Sequence, residues 1–231
     1  MAHPLTNRLL DALPAPEKSK LLGMLEPVGL PLRTSLFQCG QAPKYVHFIT
    51  SGLASTVTAM SHGDAVEVGL GGREGMPESL HLLGPENGEM QCFMQLGGTG
   101  LRMDFKRFAE EFGRVAALNR LVLRHVQHEA LVMGQLAACN RLHEVEERLA
   151  RWLLMVADRT GDLTIELSQE FLGEMLGARR SSVTVAAGAL QRSGMIEYHR
   201  RVIRILDRER LEEAACECYP ITRRLLTNLY K

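Results

Sequence analysis

Between residues 178 and 204 the chain carries six arginines (179, 180, 192, 200, 201 and 204) and one acid, Glu197. A guanidinium is a planar fork of N–H donors that fits phosphate oxygens and the O6/N7 edge of guanine, so this stretch can both hold a polyanion and discriminate within it. Arg179 and Arg180 are followed by Ser181, Ser182 and Thr184, short side chains that donate to phosphates or base edges. A second polar cluster, His199, Arg200 and Arg201, lies further along.

Those side chains need a scaffold, and the segment LSQEFLGEMLGARRSSVTVAAGALQRSGMIEYHRRVIRILD (167 to 207) supplies the pattern for one. Ser168 is a good N-cap for a helix ending at Leu176, with Gln169 beside it at the helix head. Gly177 stands where a tight turn between helices needs a left-handed residue. A second helix is expected from about Ser181 to Ser193, stopped by Gly194. Gly173 offers close approach, and Leu172, Leu176, Val183 and Leu190 form an apolar joint. The stretch from Ile196 to Leu206 alternates around the tip His199, Arg200, Arg201, as a small hairpin does. Helix, glycine turn, helix and hairpin make a winged helix-turn-helix, which puts Arg179 and Arg180 at the start of the helix that enters a major groove.

The whole chain has 231 residues with Lys+Arg 27 and Asp+Glu 27, a formal net charge of zero. From Cys139 onward there are 15 basic and 14 acidic residues, so even this part is nearly neutral and the positive excess exists only at the scale of the reading head. Such a balance excludes indiscriminate coating of nucleic acid. Hydrophobic content of 45% is that of a globular chain. No apolar run approaches a membrane span, and the start, MAHPLTNRLLDALPAPEKSK, has no signal-peptide block, so a cytoplasmic location without membrane partners is expected.

Residues 28 to about 105 contain short β-type runs (45–49, 53–60, 65–70, 90–96) separated by turn glycines, Gly52 and Gly98 among them, which suggests an antiparallel barrel. Residues 5 to 25 suggest short helices packed on it. After Phe112, Ala116, Leu123, Ala130 and Ala137 recur at intervals of seven, with Asn119, Val126, Met133 and Asn140 between them. That heptad pattern suits a helix pairing with its own copy through Leu123, Val126, Ala130, Met133 and Ala137, with a single buried core helix as the alternative because Asn119 and Asn140 weaken the seam. The expected class is therefore α+β, comprising an antiparallel β-roll or jelly-roll barrel with N-terminal helices (1–111), a dimerisation helix (112–138) and a winged helix-turn-helix domain (139–231).

Five cysteines suggest free thiols rather than a disulfide framework. Cys39, Cys92 and Cys139 are far apart, and the C-x-C pair Cys216 and Cys218 lacks a second Cys or His pair at suitable spacing, so no metal is expected. No nucleophile elbow, phosphate loop, H-E-x-x-H or paired carboxylate frame is present, so no catalytic residue is assigned.

This order of elements resembles the Crp-Fnr family of bacterial transcription regulators over nearly the full chain. The motifs are Gly40 through YVHFITSG to Gly52, CNRLHEVEERLARWLL, and QEFLGEMLGARRSSV. The resemblance implies a homodimer that binds a palindrome in double-stranded DNA, with a barrel that senses a signal and RNA polymerase as a further partner. It places Ser168, Gln169, Arg179, Arg180, Ser181, Ser182, Thr184, His199, Arg200 and Arg201 at the DNA, with Arg180 matching the arginine that commonly reads guanine. Ser181 stands where many members have glutamate and Val185 where many have a basic residue, so a different target sequence is expected.

In cyclic-nucleotide-binding members a Gly-Glu pair holds the ribose and an Arg-Ser pair the phosphate. Here Pro77 and Glu78 align near the first and Met90 and Gln91 with the second, leaving the phosphate without a cation. Glu78, Met90 and Gln91 thus mark an effector pocket that does not suit cyclic AMP. The family's iron-sulfur members have an N-terminal cysteine cluster, whereas Cys39 stands alone. Haem is not expected from His47, His62, His81, His125 or His128, since isolated histidines are mostly structural. Redox sensing by Cys92 or Cys139 stays open, as does a winged helix that docks on a protein instead of DNA.

Overall fold

The computed structural model describes residues 6–61, 65–84, 88–167 and 169–231, except the side chains of Gln169 and Glu170. The chain divides into two compact units, one of residues 1–56, 69–131 and 226–231, the other of 57–68 and 132–225.

The first unit opens with α1 (Arg8–Asp11) and α2 (Ala15–Leu22). Asn7 caps α1 by accepting from the amides of Leu9 and Leu10, and its amide group donates to the carbonyls of Ile49 and Gly75. Strands β1 (Glu26–Leu30), β2 (Ser35–Phe37), β3 (Tyr45–Ala59), β4 (Ala65–Gly71) and β5 (Met90–Asp104) form one sheet in the order β1-β5-β3-β4. Both β1 and β2 pair antiparallel with β5.

The runs 45–49 and 53–60, expected as separate strands, form one strand of 15 residues, as do residues 90–104. Gly52 and Gly98 are not turn residues. They sit where β3 and β5 approach too closely for a side chain: a Cβ on Gly52 would lie 2.6 Å from the Leu96 carbonyl oxygen, and one on Gly98 2.0 Å from that of Ser51. On one side of the sheet Phe48 and Phe108, both fully buried, meet edge to face among Leu9, Met103, Leu118 and Val122.

Helix α3 (Phe105–Arg114) starts from Asp104, whose carboxylate accepts from the Arg107 amide. Val115 is extended and breaks the helix, so the long helix α4 runs Ala116–Leu142. One stripe of α4, including Leu118, Val122, Val132, Leu136 and Cys139, is buried. A second stripe, Ala116, Leu123, Ala130 and Ala137, is exposed. No helix among the described residues is long and apolar enough to cross a membrane.

In the second unit α5 (Val145–Thr160) is the core element, with Leu149, Trp152, Leu153, Leu154 and Val156 at most 1% exposed. It packs against α6 (Gln169–Leu176), α7 (Arg180–Arg192) and α8 (Arg208–Ala214). The Trp152 indole donates to the Glu67 carboxylate at 2.9 Å, which satisfies its one polar atom in the core. Strands β6 (Thr164–Glu166), β7 (Ile196–His199) and β8 (Val202–Ile205) form a small antiparallel sheet in the order β6-β8-β7, and α9 (Cys218–Asn228) follows.

Candidate nucleic-acid interface

Leu172, Leu176, Val183 and Leu190 are all fully buried, so the apolar joint between α6 and α7 forms as the spacing implies. The turn between the helices is tight. Gly177 has φ 54°, and the Ala178 amide donates to the Gly173 carbonyl at 3.0 Å. A Cβ on Gly173 would lie 3.0 Å from the Ala178 carbonyl oxygen, so the missing side chain lets α6 meet the turn.

This joint fixes the direction of α7. Arg179 is its N-cap, in extended conformation, and no side chain among the described residues caps the helix. The free first-turn amides and the exposed Arg179 and Arg180 together form a positively polarised helix start. Ser181 and Thr184 share the exposed face and Ser182 is half-buried. Thr184 donates its proton to the Arg180 carbonyl at 3.0 Å, inside the helix. Val185, 69% exposed, puts an isopropyl group in the middle of that face.

The hairpin β7–β8 closes through the pair His199 and Val202 with a two-residue turn, Arg200 at φ 46° and Arg201 at φ 73°. Two left-handed residues make the turn that matches the twist of paired strands, a position usually taken by Asn or Gly. The chain holds two arginines there, and His199, Arg200 and Arg201 are exposed. Tyr198 ties the hairpin down: its amide donates to Gln191 on α7 at 2.8 Å and its hydroxyl to the Leu167 carbonyl at 3.3 Å. Burial raises the Tyr198 phenol above its ordinary value while the charges of Arg180 and Arg201 pull it down, so it stays a neutral donor. Glu197 lies directly across the ladder from Arg204. The Ser168 assignment and the side chain of Gln169 lie outside the described residues.

One contributor shows no sequence signal. Arg148, on α5 and 6% exposed, donates to the carbonyls of Asn140 and Leu176, the ends of α4 and α6. In the sequence it reads as one more surface charge of an amphipathic helix.

In the first unit Glu78 is fully buried, with its carboxylate accepting from the His47 amide at 3.0 Å and facing His47 Nδ1 at 2.7 Å. Met90 and Gln91 are half-buried on β5. His125 Nε2 lies 3.3 Å from both the amide and the carbonyl of Met76. His47 and His125 therefore serve as internal partners, and His62 lies outside the described residues.

The expectation that Cys216 and Cys218 lack companion ligands is corrected. Cys139 and His143, separated by one helical turn, bring their ligand atoms within 4.8 Å of those of Cys216 and Cys218. Cys139 and His143 stand four apart in the sequence, a pair at ligand spacing, and the fold brings that pair to Cys216 and Cys218 from a distant segment.

The fold and the arginine-faced second helix define the class, a β-sheet unit joined to a winged helix-turn-helix. Residues 147–214 match the Crp-like helix-turn-helix domain. Solved structures sharing the fold include a putative transcriptional regulator of the Crp/Fnr family from Eubacterium rectale, with 15% identity, TM-score 0.70, and 89% of this chain and 96% of that one covered. FixK2 from Bradyrhizobium japonicum gives 15% identity, TM-score 0.70 and coverage of 83% and 98%. A CRP-family transcriptional regulator from Thermus thermophilus gives 21% identity, TM-score 0.63 and coverage of 81% and 96%. No curated protein sequence matches the chain. The chain carries a Crp-like helix-turn-helix domain within the fold of the Crp/Fnr transcription regulators.

Proposed function

We propose that the protein is a homodimeric, sequence-specific DNA-binding transcription regulator. The observation that carries this reading is the exposed, uncapped, arginine-bearing start of α7, held rigid by a buried joint with α6. Arg180 reads guanine through O6 and N7, and Val185 packs on a thymine methyl, the apolar mark of the major groove. Arg179, Ser181, Ser182 and the α7 amides hold phosphates, and His199, Arg200 and Arg201 grip the backbone beside the groove. Ser168 and Gln169, assigned from the sequence alone, belong to the same proposed set. The exposed stripe of Leu123, Ala130 and Ala137, with Met133 beside it, pairs with a second copy. Val126, 9% exposed, already packs in its own core and is left out of that seam. Two copies then read half-sites about 34 Å apart.

The pairing of Glu78 with His47, and the uncharged side chains of Met90 and Gln91, support a protein that does not take cyclic AMP in the usual way. A buried phosphate there would lack its counter-charge.

Selection of bound sequences from a random duplex pool, followed by fluorescence anisotropy, tests this reading. A palindromic consensus with guanine in each half-site is expected, and Arg180→Ala should lose about 1–3 kcal/mol of discrimination at that guanine. Added cyclic AMP should leave the affinity unchanged. Unaltered base preference in the Arg180→Ala protein would remove the role given to that residue.

A further inference from the structure

We propose that Cys139, His143, Cys216 and Cys218 form a closed, mononuclear zinc site. Cys139 lies in the last turn of α4 and His143 just past its end, with the His143 amide donating to the Cys139 carbonyl at 3.1 Å, and Cys216 and Cys218 flank the start of α9. The Cys139 and Cys216 sulfurs are 3.5 Å apart, and Cys218 Sγ is 3.6 Å from His143 Nδ1. Tetrahedral zinc, with Zn–S about 2.3 Å and Zn–N about 2.0–2.1 Å, requires S–S edges of roughly 3.8 Å and S–N edges of roughly 3.6 Å. The four ligand atoms thus stand near the corners that a single ion needs. They are too far apart for a disulfide, whose sulfurs bond at about 2.05 Å.

The donor set selects the ion. Three thiolates and an imidazole suit zinc, whereas calcium and magnesium take oxygen. Iron-sulfur clusters spread their thiolates over several irons, and four ligand atoms within 4.8 Å leave room for one metal. Four protein ligands fill a tetrahedron, so the site is structural, with no position open for water or substrate.

The surroundings support the same reading. His143 Nε2 lies 3.0 Å from the Glu217 carboxylate, which would hold the ring with Nδ1 turned toward the metal. The Gln135 amide donates to Cys218 Sγ at 3.1 Å, stabilising charge on sulfur. Three thiolates on one zinc leave a net negative charge, and the buried Arg148 and Arg151 both interact electrostatically with Cys139. Cys139, Cys216 and Cys218 are each at most 3% exposed.

The ion would staple the reading head. Cys139 and Cys216 are 77 residues apart, and the loop they bound contains α5, the helix-turn-helix and the wing. Closing a loop of that length restricts the unfolded chain, so metal affinity becomes folding free energy. The proposal does not rest on DNA binding and stands or falls separately from it.

The test uses the full chain purified under reducing conditions, with metal content measured by mass spectrometry. About one zinc per chain is expected. After chelator treatment, cobalt titration should produce thiolate-to-metal charge-transfer absorption and the visible bands of tetrahedral cobalt, both displaced by zinc. Glu217→Gln should weaken zinc binding by about 10–100-fold with the stoichiometry intact. Cys216→Ser and His143→Ala should weaken it further, and Cys39→Ser should change nothing. Should Cys216→Ser fail to fold, the wild-type titration and Glu217→Gln still decide. Folded wild-type protein that gives no tetrahedral cobalt spectrum, or binds zinc equally well with Glu217→Gln and His143→Ala, would overturn the proposal.

Discussion

Arg148 donates to the carbonyl of Leu176, the last residue of α6, while its second terminal nitrogen serves the carbonyl of Asn140 near the end of α4. One buried side chain therefore closes two helix ends whose carbonyls have no partner within their own helices. Because α7 packs against α6, Arg148 supports the helix-turn-helix from within α5.

Arg148→Ala removes both donors and leaves the carbonyls in a dry environment. Hydrogen bonds to a charged group are worth about 1.5–3 kcal/mol each, so a loss of about 2–4 kcal/mol in unfolding free energy is expected, less whatever water recovers. Urea denaturation followed by tryptophan fluorescence checks it directly, since Trp152 is the one tryptophan and lies on the same helix. A change below about 0.5 kcal/mol would mean that water replaces the guanidinium without cost.

A pH effect follows from Glu129. Its carboxyl is raised above the ordinary value of 4.5, chiefly by burial, with Glu74 and Glu78 adding to the rise and His125 and the Ser79 hydroxyl opposing it. A carboxyl with a raised folded-state pKa contributes stability that is full below its unfolded value and is lost as pH climbs through the folded one. Wild-type protein should therefore lose stability relative to Glu129→Gln as pH rises from about 4.5 toward neutrality. The amide still accepts from Ser79, so the difference isolates ionisation. Parallel melting curves for the two proteins across that range would contradict the assignment.

The helix-turn-helix is largely legible in the sequence because local rules govern it. Gly177, the arginines that follow it and the apolar joint residues lie within one short segment, and periodicity places each of them. Gly52 and Gly98 were misread as turn residues because a glycine shows only that a side chain is absent. Two strands far apart in sequence supply the reason, meeting with a separation that a Cβ would fill. The spacing of Cys139 and His143 is visible in the sequence, but their meeting with Cys216 is not, because 77 residues separate Cys139 from Cys216. Arg148 was missed because its spacing on α5 does not reveal what lies opposite.

The wing turn sets stability against function. Arg200 and Arg201 hold left-handed backbone conformations that cost an L-residue about 1–2 kcal/mol relative to glycine. Arg201→Gly should therefore raise the melting temperature modestly and weaken binding to all duplexes alike, with the salt dependence shallower by about one counterion. Differential scanning calorimetry and anisotropy at several salt concentrations measure both. Weaker binding confined to the consensus sequence would move Arg201 from phosphate to base contact.

The seam on α4 gives the last prediction. Leu123, two turns into a helix of 27 residues, is 42% exposed, and Ala130 and Ala137 continue its line at intervals of seven. Leucine and alanine on such a line bury apolar area only against another helix, and two copies of α4 can bury each other's. In the proposed dimer, Leu123→Glu would set like charges against each other where apolar contact is expected. Sedimentation equilibrium should show the wild type as a dimer and Leu123→Glu shifted to monomer, with unchanged far-ultraviolet circular dichroism because the substituted side chain is outside the monomer core. Affinity for a full palindrome should fall toward that for a half-site, because the second contact is no longer tethered to the first. Should Leu123→Glu remain a dimer of unchanged strength, the seam would lie on another face of α4.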